Sequence, residues 1–190
     1  KEFYDIKVAR KGDIDPESGK PYETFTASEV GNIFTLYTKF SSAFDFTYQD
    51  TDGKHKPVYM GCYGLGTTRV MGVLAEVFHD EHGLIWPEAV APAKLHIVPI
   101  AKTQNEEAYK KAFVLYQECL DAGVECLFDD RLNMTVGSRL AAADLIGVPV
   151  RFVISQKTLD AEGIEAKDRA TGEVKMMSFD EVKRVCVARD

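Results

Sequence analysis

The chain has 190 residues, 45% of them hydrophobic and 28% charged, with a net charge of −7. That is enough apolar material for one large domain or two small ones with proper cores, which excludes a disordered chain. The acidic balance argues against a protein held on nucleic acid by bulk electrostatics, though a local basic patch is compatible with it.

Residues 1–25 are charged and rich in turn formers, as in Lys11-Gly12-Asp13-Ile14-Asp15-Pro16-Glu17-Ser18-Gly19-Lys20-Pro21, and predict an exposed connector. Between Phe25 and Phe40, Val30, Asn32, Phe34 and Leu36 alternate with Ile33, Thr35 and Tyr37, and β-branched and aromatic residues are frequent, which predicts a strand. The polar Glu29, Asn32 and Thr35 embedded in it are either edge residues or ligand hydrogen-bonders held on a rigid element. Phe44–Tyr48 and Pro57–Met60 flank an Asp-Gly turn signal in Asp50-Thr51-Asp52-Gly53-Lys54, so a hairpin is expected.

The hairpin delivers the chain to Gly61, Gly64 and Gly66, after which apolar residues recur at 70, 73, 74, 77 and 78, a helical spacing. We read strand, glycine-rich turn and then helix from about Thr68, with Arg69 in its first turn. Glycines let a backbone approach a bulky ligand or take positive φ, and a helix N-terminus beside an arginine favours anions such as phosphate. A tight strand-to-helix connection in an ordinary core needs glycines too, so the pattern alone leaves both readings open. A dinucleotide-binding reading is weak, because the glycines follow an antiparallel hairpin and not a βαβ unit. The helix should stop near Gly83. His79 and His82 are an i, i+3 pair without a third ligand at sensible spacing, and read as surface residues favoured by the helix dipole rather than as a metal site.

Leu84–Pro92 is extended and bounded by prolines, and we place a domain boundary between residues 90 and 91. Beyond it lie a strand at Leu95–Ile100 and a capping-box spacing at Thr103-Gln104-Asn105-Glu106. A helix follows with Ala108, Ala112, Leu115, Tyr116, Cys119 and Leu120 on one face, closed by Gly123. Next come a strand at Val124–Phe128, a helix at Gly137–Ile146 and a strand at Val148–Ile154. Such alternation implies a parallel sheet, whose ligands bind at strand C-termini, and this picks out Asp129, Asp130 and Arg131. Residues 162–177 predict a hairpin turning at Thr171-Gly172, and Phe179–Val187 a last helix. The four cysteines, Cys62, Cys119, Cys126 and Cys186, have no zinc spacing and read as reduced thiols of a cytoplasmic protein. No apolar run approaches the ~18–20 residues of a membrane span. With no signal-peptide pattern and no N-terminal Met, the sequence is expected to begin inside a longer protein.

Several separated motifs share one resemblance. Gly61-Cys62-Tyr63-Gly64-Leu65-Gly66-Thr67-Thr68-Arg69 resembles motif 3 of class II aminoacyl-tRNA synthetases, and more narrowly the bacterial-type prolyl-tRNA synthetase version. Glu29-Val30-Gly31-Asn32-Ile33-Phe34 is similar to the strand preceding motif 3, and Gly83-Leu84-Ile85-Trp86-Pro87-Glu88 to the junction with the anticodon-binding domain. Asp129-Asp130-Arg131, Gly137 and Asp144-Leu145-Ile146-Gly147-Val148-Pro149 resemble that domain's signature. The resemblance covers essentially the whole chain. It implies an α/β fold in two parts: the C-terminal piece of a class II antiparallel-sheet catalytic domain (1–90), then an anticodon-binding domain with a mixed or parallel sheet (91–190).

The resemblance also implies roles. Arg69 would be the catalytic arginine that holds ATP by charge and by stacking on adenine, with Gly64 and Gly66 letting the nucleotide lie against the strand. Glu29, Asn32, Phe34 and Cys62 would belong to the proline pocket. Asp130, Arg131, Arg139 and Asp144 match anticodon-domain positions loosely, and for Asp130 and Asp144 a salt bridge or helix cap is an equal alternative. The implied parent activates proline with ATP and Mg2+, transfers it to tRNA(Pro) and works as a cytoplasmic homodimer. Motifs 1 and 2 are missing from these residues, so the 190 residues alone are expected to be inactive. Many family members have His, Gln and Gly where this chain has Asn32, Thr35 and Tyr37, and Tyr37 is expected to crowd its strand. The Arg131–Gly137 loop is one residue longer than usual. The alternatives are a non-catalytic accessory protein with the same fold that binds nucleic acid, and a class II synthetase for threonine, glycine or histidine.

Overall fold

The computed structural model describes residues 8–187, with the side chains of residues 183 and 185–187 outside the description. Cys186 is one of these; among the described residues no disulfide joins Cys62, Cys119 and Cys126. The chain packs as two units, Lys1–Val70 and Met71–Asp190.

In the first unit the connector is a surface turn pinned by a bridge between Ile14 and Pro21. Strand β1 spans Gly31–Tyr37 and a single helical turn, α1, spans Lys39–Ala43. The hairpin β2 (Thr47–Gln49) and β3 (His55–Pro57) turns at Gly53, as expected. Strand β4 then runs Met60–Leu65, antiparallel to β1, and helix α2 spans Thr67–Val77. The expected glycine-rich turn is therefore a strand. Gly61 and Gly64 lie inside β4, and Gly66 alone separates strand from helix. None of the three has positive φ. Glycine's low strand propensity hid β4 from a propensity reading.

Tyr37 departs from expectation as well. It does not crowd the strand; it stands 64% exposed with a left-handed φ of 49°, at the point where the β1–β4 register shifts between Thr35 and Tyr37. A glycine suits that position because of the backbone conformation, not because of space.

In the second unit the end of α2 is followed by a hairpin, β5 (His79–Asp80) and β6 (Gly83–Leu84), so His79 is a strand residue and Gly83 a hairpin residue, not a helix stop. One 3-10 turn at Glu88–Val90 follows. Then come β7 (Leu95–Ile100), α3 (Glu107–Asp121), β8 (Cys126–Phe128), α4 (Val136–Ile146) and β9 (Val150–Ser155). The chain continues through α5 (Gln156–Asp160), β10 (Ile164–Asp168), β11 (Val174–Met177) and α6 (Phe179–Val187). The sheet order is β11-β10-β9-β7-β8. Strands β8, β7 and β9 are parallel, and β10 and β11 add antiparallel, giving a mixed sheet.

The two faces of this sheet differ in chemistry. Leu95, Ile97, Phe152, Ile154, Ile164 and Ala166 form one apolar layer with Ala108, Ala112, Leu115 and Cys119 of α3 and with Val182 of α6. Leu120, expected on that face, is exposed. The opposite face carries His96 and Arg151 towards α4. The capping box at Thr103 is half made: Glu106 accepts from the Lys102 and Thr103 amides, but α3 starts only at Glu107. Gly123 ends α3 and Gly147 ends α4, both with φ of 76°. The short α5, with a full capping box between Ser155 and Thr158, was not legible as a helix.

Candidate functional site

Strands β1 and β4 build the site of the first unit. Asn32 stands opposite Gly64 and Phe34 opposite Cys62. Directly opposed residues of an antiparallel pair share a face, so these four lie on the same side. Gly66 extends the ladder by donating its amide to the Val30 carbonyl at 2.8 Å. Arg69, one turn into α2, reaches back and donates from Nη1 to the Glu29 carbonyl. The Asn32 amide nitrogen lies 3.5 Å from Glu29 Oε1, while Asn32 Oδ1 accepts from the Ile33 amide at 2.8 Å. Glu29, Asn32, Phe34, Cys62, Gly64, Gly66 and Arg69 thus all line one open concavity of about 230 Å³.

The two readings of the glycines separate here. A Cβ built on Gly64 would meet no atom of the described residues within 4 Å, and one on Gly61 would touch only the Phe34 carbonyl, at 3.7 Å. Packing does not demand a glycine at either position. At Gly66 a Cβ would sit 3.4 Å from Arg69 Cβ, in ordinary contact. What the bare strand does provide is a backbone that a flat ligand can approach, beside a planar cation at a helix N-terminus whose first turn carries no acidic residue.

In the second unit Asp129, Asp130 and Arg131 follow the end of β8, beside the middle of β7, with Arg139 of α4 against Asp129, whereas Asp144 of α4 lies apart, against β9 and β10. The side chains of Asp129 and Arg139 are each 1% exposed. Arg139 Nη2 donates to the Asp129 carbonyl at 2.6 Å, and its Nε lies 3.3 Å from Oδ1. Arg131 forks onto the same carboxylate from Nε and Nη2 at 3.0 and 2.8 Å while remaining 41% exposed. Burial, the largest single influence on Asp129, pushes its pKa up. The Arg131 hydrogen bonds and the charges of Arg139 and Arg131 outweigh burial and lower it to about 2.

Asp130 is exposed beside Arg131. Asp144 of α4 pairs with Arg151 at 2.8 Å and Lys167 at 3.1 Å, the salt-bridge alternative. Arg139 is a correction: a guanidinium enclosed between α4 and Asp129 presents no donor to a large ligand. It holds Asp129, which in turn aims Arg131.

His96, Arg151 and Lys167 sit side by side across β7, β9 and β10. His96 is buried, its Nδ1 has no hydrogen-bond partner among the described residues, and burial lowers its pKa, with Arg131, Arg151 and Arg139 opposing protonation and Asp129 favouring it. A histidine and an arginine inside otherwise apolar strands were the available sequence signals for this network. Among the described residues no three His, Cys, Asp or Glu side chains gather where they could hold a metal ion, and no helix is long and apolar enough to cross a membrane.

A family model for the anticodon binding domain matches residues 94–189, and one for the tRNA synthetase class II core domain (G, H, P, S and T) matches residues 21–78. The chain is 43% identical to the proline--tRNA ligase of Halothermothrix orenii over 90% of its own length and 30% of that protein's. It is 39% identical to the enzyme of that name from Bacillus subtilis, over 96% of its own length and 32% of the relative's. The solved structure of Giardia lamblia prolyl-tRNA synthetase in complex with prolyl-adenylate superposes with a TM-score of 0.65 at 26% identity, covering 81% of this chain and 32% of that one. The chain therefore spans about a third of the length of the relatives it matches.

Proposed function

Since the chain belongs to the anticodon binding domain family, preceded by the end of a class II tRNA synthetase core, we propose that it works as part of a cytoplasmic, homodimeric proline--tRNA ligase. Such an enzyme joins proline to ATP, releases pyrophosphate and transfers the prolyl group to tRNA(Pro). We assign residues 1–90 to the class II part and 91–190 to the anticodon-binding part.

The observation that carries this reading is the convergence of Glu29, Asn32, Phe34, Cys62, Gly64, Gly66 and Arg69 on one concavity. Arg69 would stack on adenine and bind phosphate with one planar cation, held in place by its bond to the Glu29 carbonyl. The space over Gly64 would receive the nucleotide. Asn32, Phe34 and Cys62, on the same face, would border the amino acid, and the kinship with bacterial proline enzymes supports proline over threonine, glycine or histidine. Mg2+ would arrive with ATP as part of the substrate. In the second unit Arg131, aimed by Asp129 and flanked by Asp130, would contact the anticodon end of the tRNA.

Transition-state stabilisation requires a whole preorganised set of charges, and a single arginine does not make one. The 190 residues alone are therefore expected to show no proline-dependent ATP–pyrophosphate exchange, and measurable exchange would overturn that expectation. In the full-length enzyme Gly64→Val adds a side chain where a Cβ meets no atom of the described residues within 4 Å. It should lower exchange by about 100-fold or more while leaving the melting temperature nearly unchanged. Full exchange activity in that variant would remove the concavity from the active site.

A further inference from the structure

The connector between the two family matches is a built device. Arg169, 6% exposed, grips Asp80 with both ends of its guanidinium: Nη1 to Oδ2 at 2.7 Å and Nη2 to Oδ1 at 2.6 Å. Its Nε donates to the Asp144 carbonyl in the last turn of α4 at 3.1 Å. Asp80 also organises its own hairpin, accepting from the amides of His82 and Gly83 at 2.8 and 3.0 Å. Trp86 adds two bonds, from Nε1 to the Ile146 carbonyl at 3.0 Å and from its amide to the Gly147 carbonyl at 3.1 Å.

The approach is close enough to exclude side chains. A Cβ on Gly83 would lie 2.3 Å from Leu145 Cα, and one on Gly147 2.0 Å from the Leu84 carbonyl oxygen. The final carbonyls of a helix lack intrahelical partners and carry the negative end of its dipole. Residues 80–86 and Arg169 cap that end of α4 with two side-chain donors, one of them the Arg169 cation, and the Trp86 backbone amide. The hairpin, although it precedes residue 91, thereby packs on α4 of the anticodon-binding part, and α2, with Arg69 in its first turn, is the element just before it along the chain.

We propose that the Asp80–Arg169 clamp is a positioning device for tRNA charging: it fixes the point at which the chain, just after α2, enters the anticodon-binding part. This rests on the reading of the chain as part of a proline--tRNA ligase. Proline activation uses small substrates and does not need the clamp; transfer to a tRNA held at its far end does.

The test uses the full-length enzyme carrying Asp80→Asn, Asp80→Glu, Trp86→Phe or Arg169→Lys. Proline-dependent ATP–pyrophosphate exchange should stay within about twofold of wild type. For tRNA(Pro) charging, kcat should fall by about tenfold or more in Asp80→Asn and Arg169→Lys with KM changed by less than about threefold. Asp80→Glu should recover part of the loss, and Trp86→Phe should lose less. Amide hydrogen exchange across residues 80–86 reports whether the clamp has opened. Wild-type charging by a variant whose hairpin has opened would overturn the proposal. So would parallel loss of exchange and charging with a lowered melting temperature in every variant, which would make the clamp merely structural. Absence of exchange in the wild-type enzyme would instead remove the functional reading and the proposal with it.

Discussion

Asp129 is the residue whose loss the structure weighs most sharply. It answers two arginines of different standing: Arg139, whose side chain is as buried as its own, and Arg131, which is half-exposed. Asp129→Ala leaves the Arg139 cation inside the protein without its counter-charge, and breaking a buried pair in this way costs about 3–5 kcal/mol. Arg131→Ala removes only a half-exposed fork, worth about 0–1 kcal/mol after solvent screening. The expected order of destabilisation is therefore Asp129→Ala, then Arg139→Met, then Arg131→Ala. The double variant Asp129→Ala/Arg139→Met should be more stable than Asp129→Ala alone, because no unpaired charge remains. Urea unfolding followed by the fluorescence of Trp86, the sole tryptophan, reads the unit that contains the network.

The acid limb checks the same residue independently. A folded pKa of about 2 against an ordinary carboxylate value near 3.9 corresponds to about 2–3 kcal/mol. This contribution is fully present above about pH 4 and is lost as pH falls through about 2, and Asp129→Asn should abolish it. If Asp129→Ala cost less than about 1 kcal/mol, or Arg131→Ala cost as much as Asp129→Ala, the buried-pair reasoning would be refuted.

Two further outcomes are expected. Because burial lowers the pKa of His96, the unfolded chain binds its proton more readily. Stability from this group is full above about pH 6.5 and declines as pH falls towards the lower folded value, and His96→Gln should flatten that slope; an unchanged slope in the variant would place its source elsewhere. Gly147 and Gly172 share a left-handed φ, 76° and 72°, but a Cβ at Gly172 meets nothing within 4 Å among the described residues whereas one at Gly147 strikes the Leu84 backbone. Gly172→Ala should cost about 1 kcal/mol and Gly147→Ala at least about 3 kcal/mol by urea unfolding, and equal costs would show that conformation, not the approach of the hairpin, governs Gly147.

The second unit was readable because its elements follow simple periods. Leu95–Ile100 is a continuous apolar run, and Ala108, Ala112, Leu115 and Cys119 keep one helical face, so both appear as predicted. The hairpin at Thr171-Gly172 and the helix at Phe179–Val187 were equally plain. The first unit defeated propensity: β4 carries two glycines, and Tyr37 takes a conformation that its side chain disfavours. The motif resemblance still named seven residues that the fold gathers into one concavity. What no local pattern could reveal was long-range pairing. Asp80 and Arg169 lie 89 residues apart, and Arg139 sits in a helix whose sequence gives no sign that a guanidinium would be enclosed there.

That pairing also explains how an acidic chain can be built around arginine. Arg139, Arg151 and Arg169 are buried and answered by Asp129, Asp144 and Asp80, so these cations hold elements together and add little to the outer field. Arg131 differs, because Asp129 consumes its Nε and one Nη while the group as a whole stays open to solvent. Tying down part of a planar guanidinium removes rotamer freedom before a ligand arrives and fixes the direction of the remaining donors. A polyanion meeting this unit would find a few aimed groups in place of a diffuse positive surface. Recognition on those terms favours position and shape over bulk attraction, consistent with the net charge of −7.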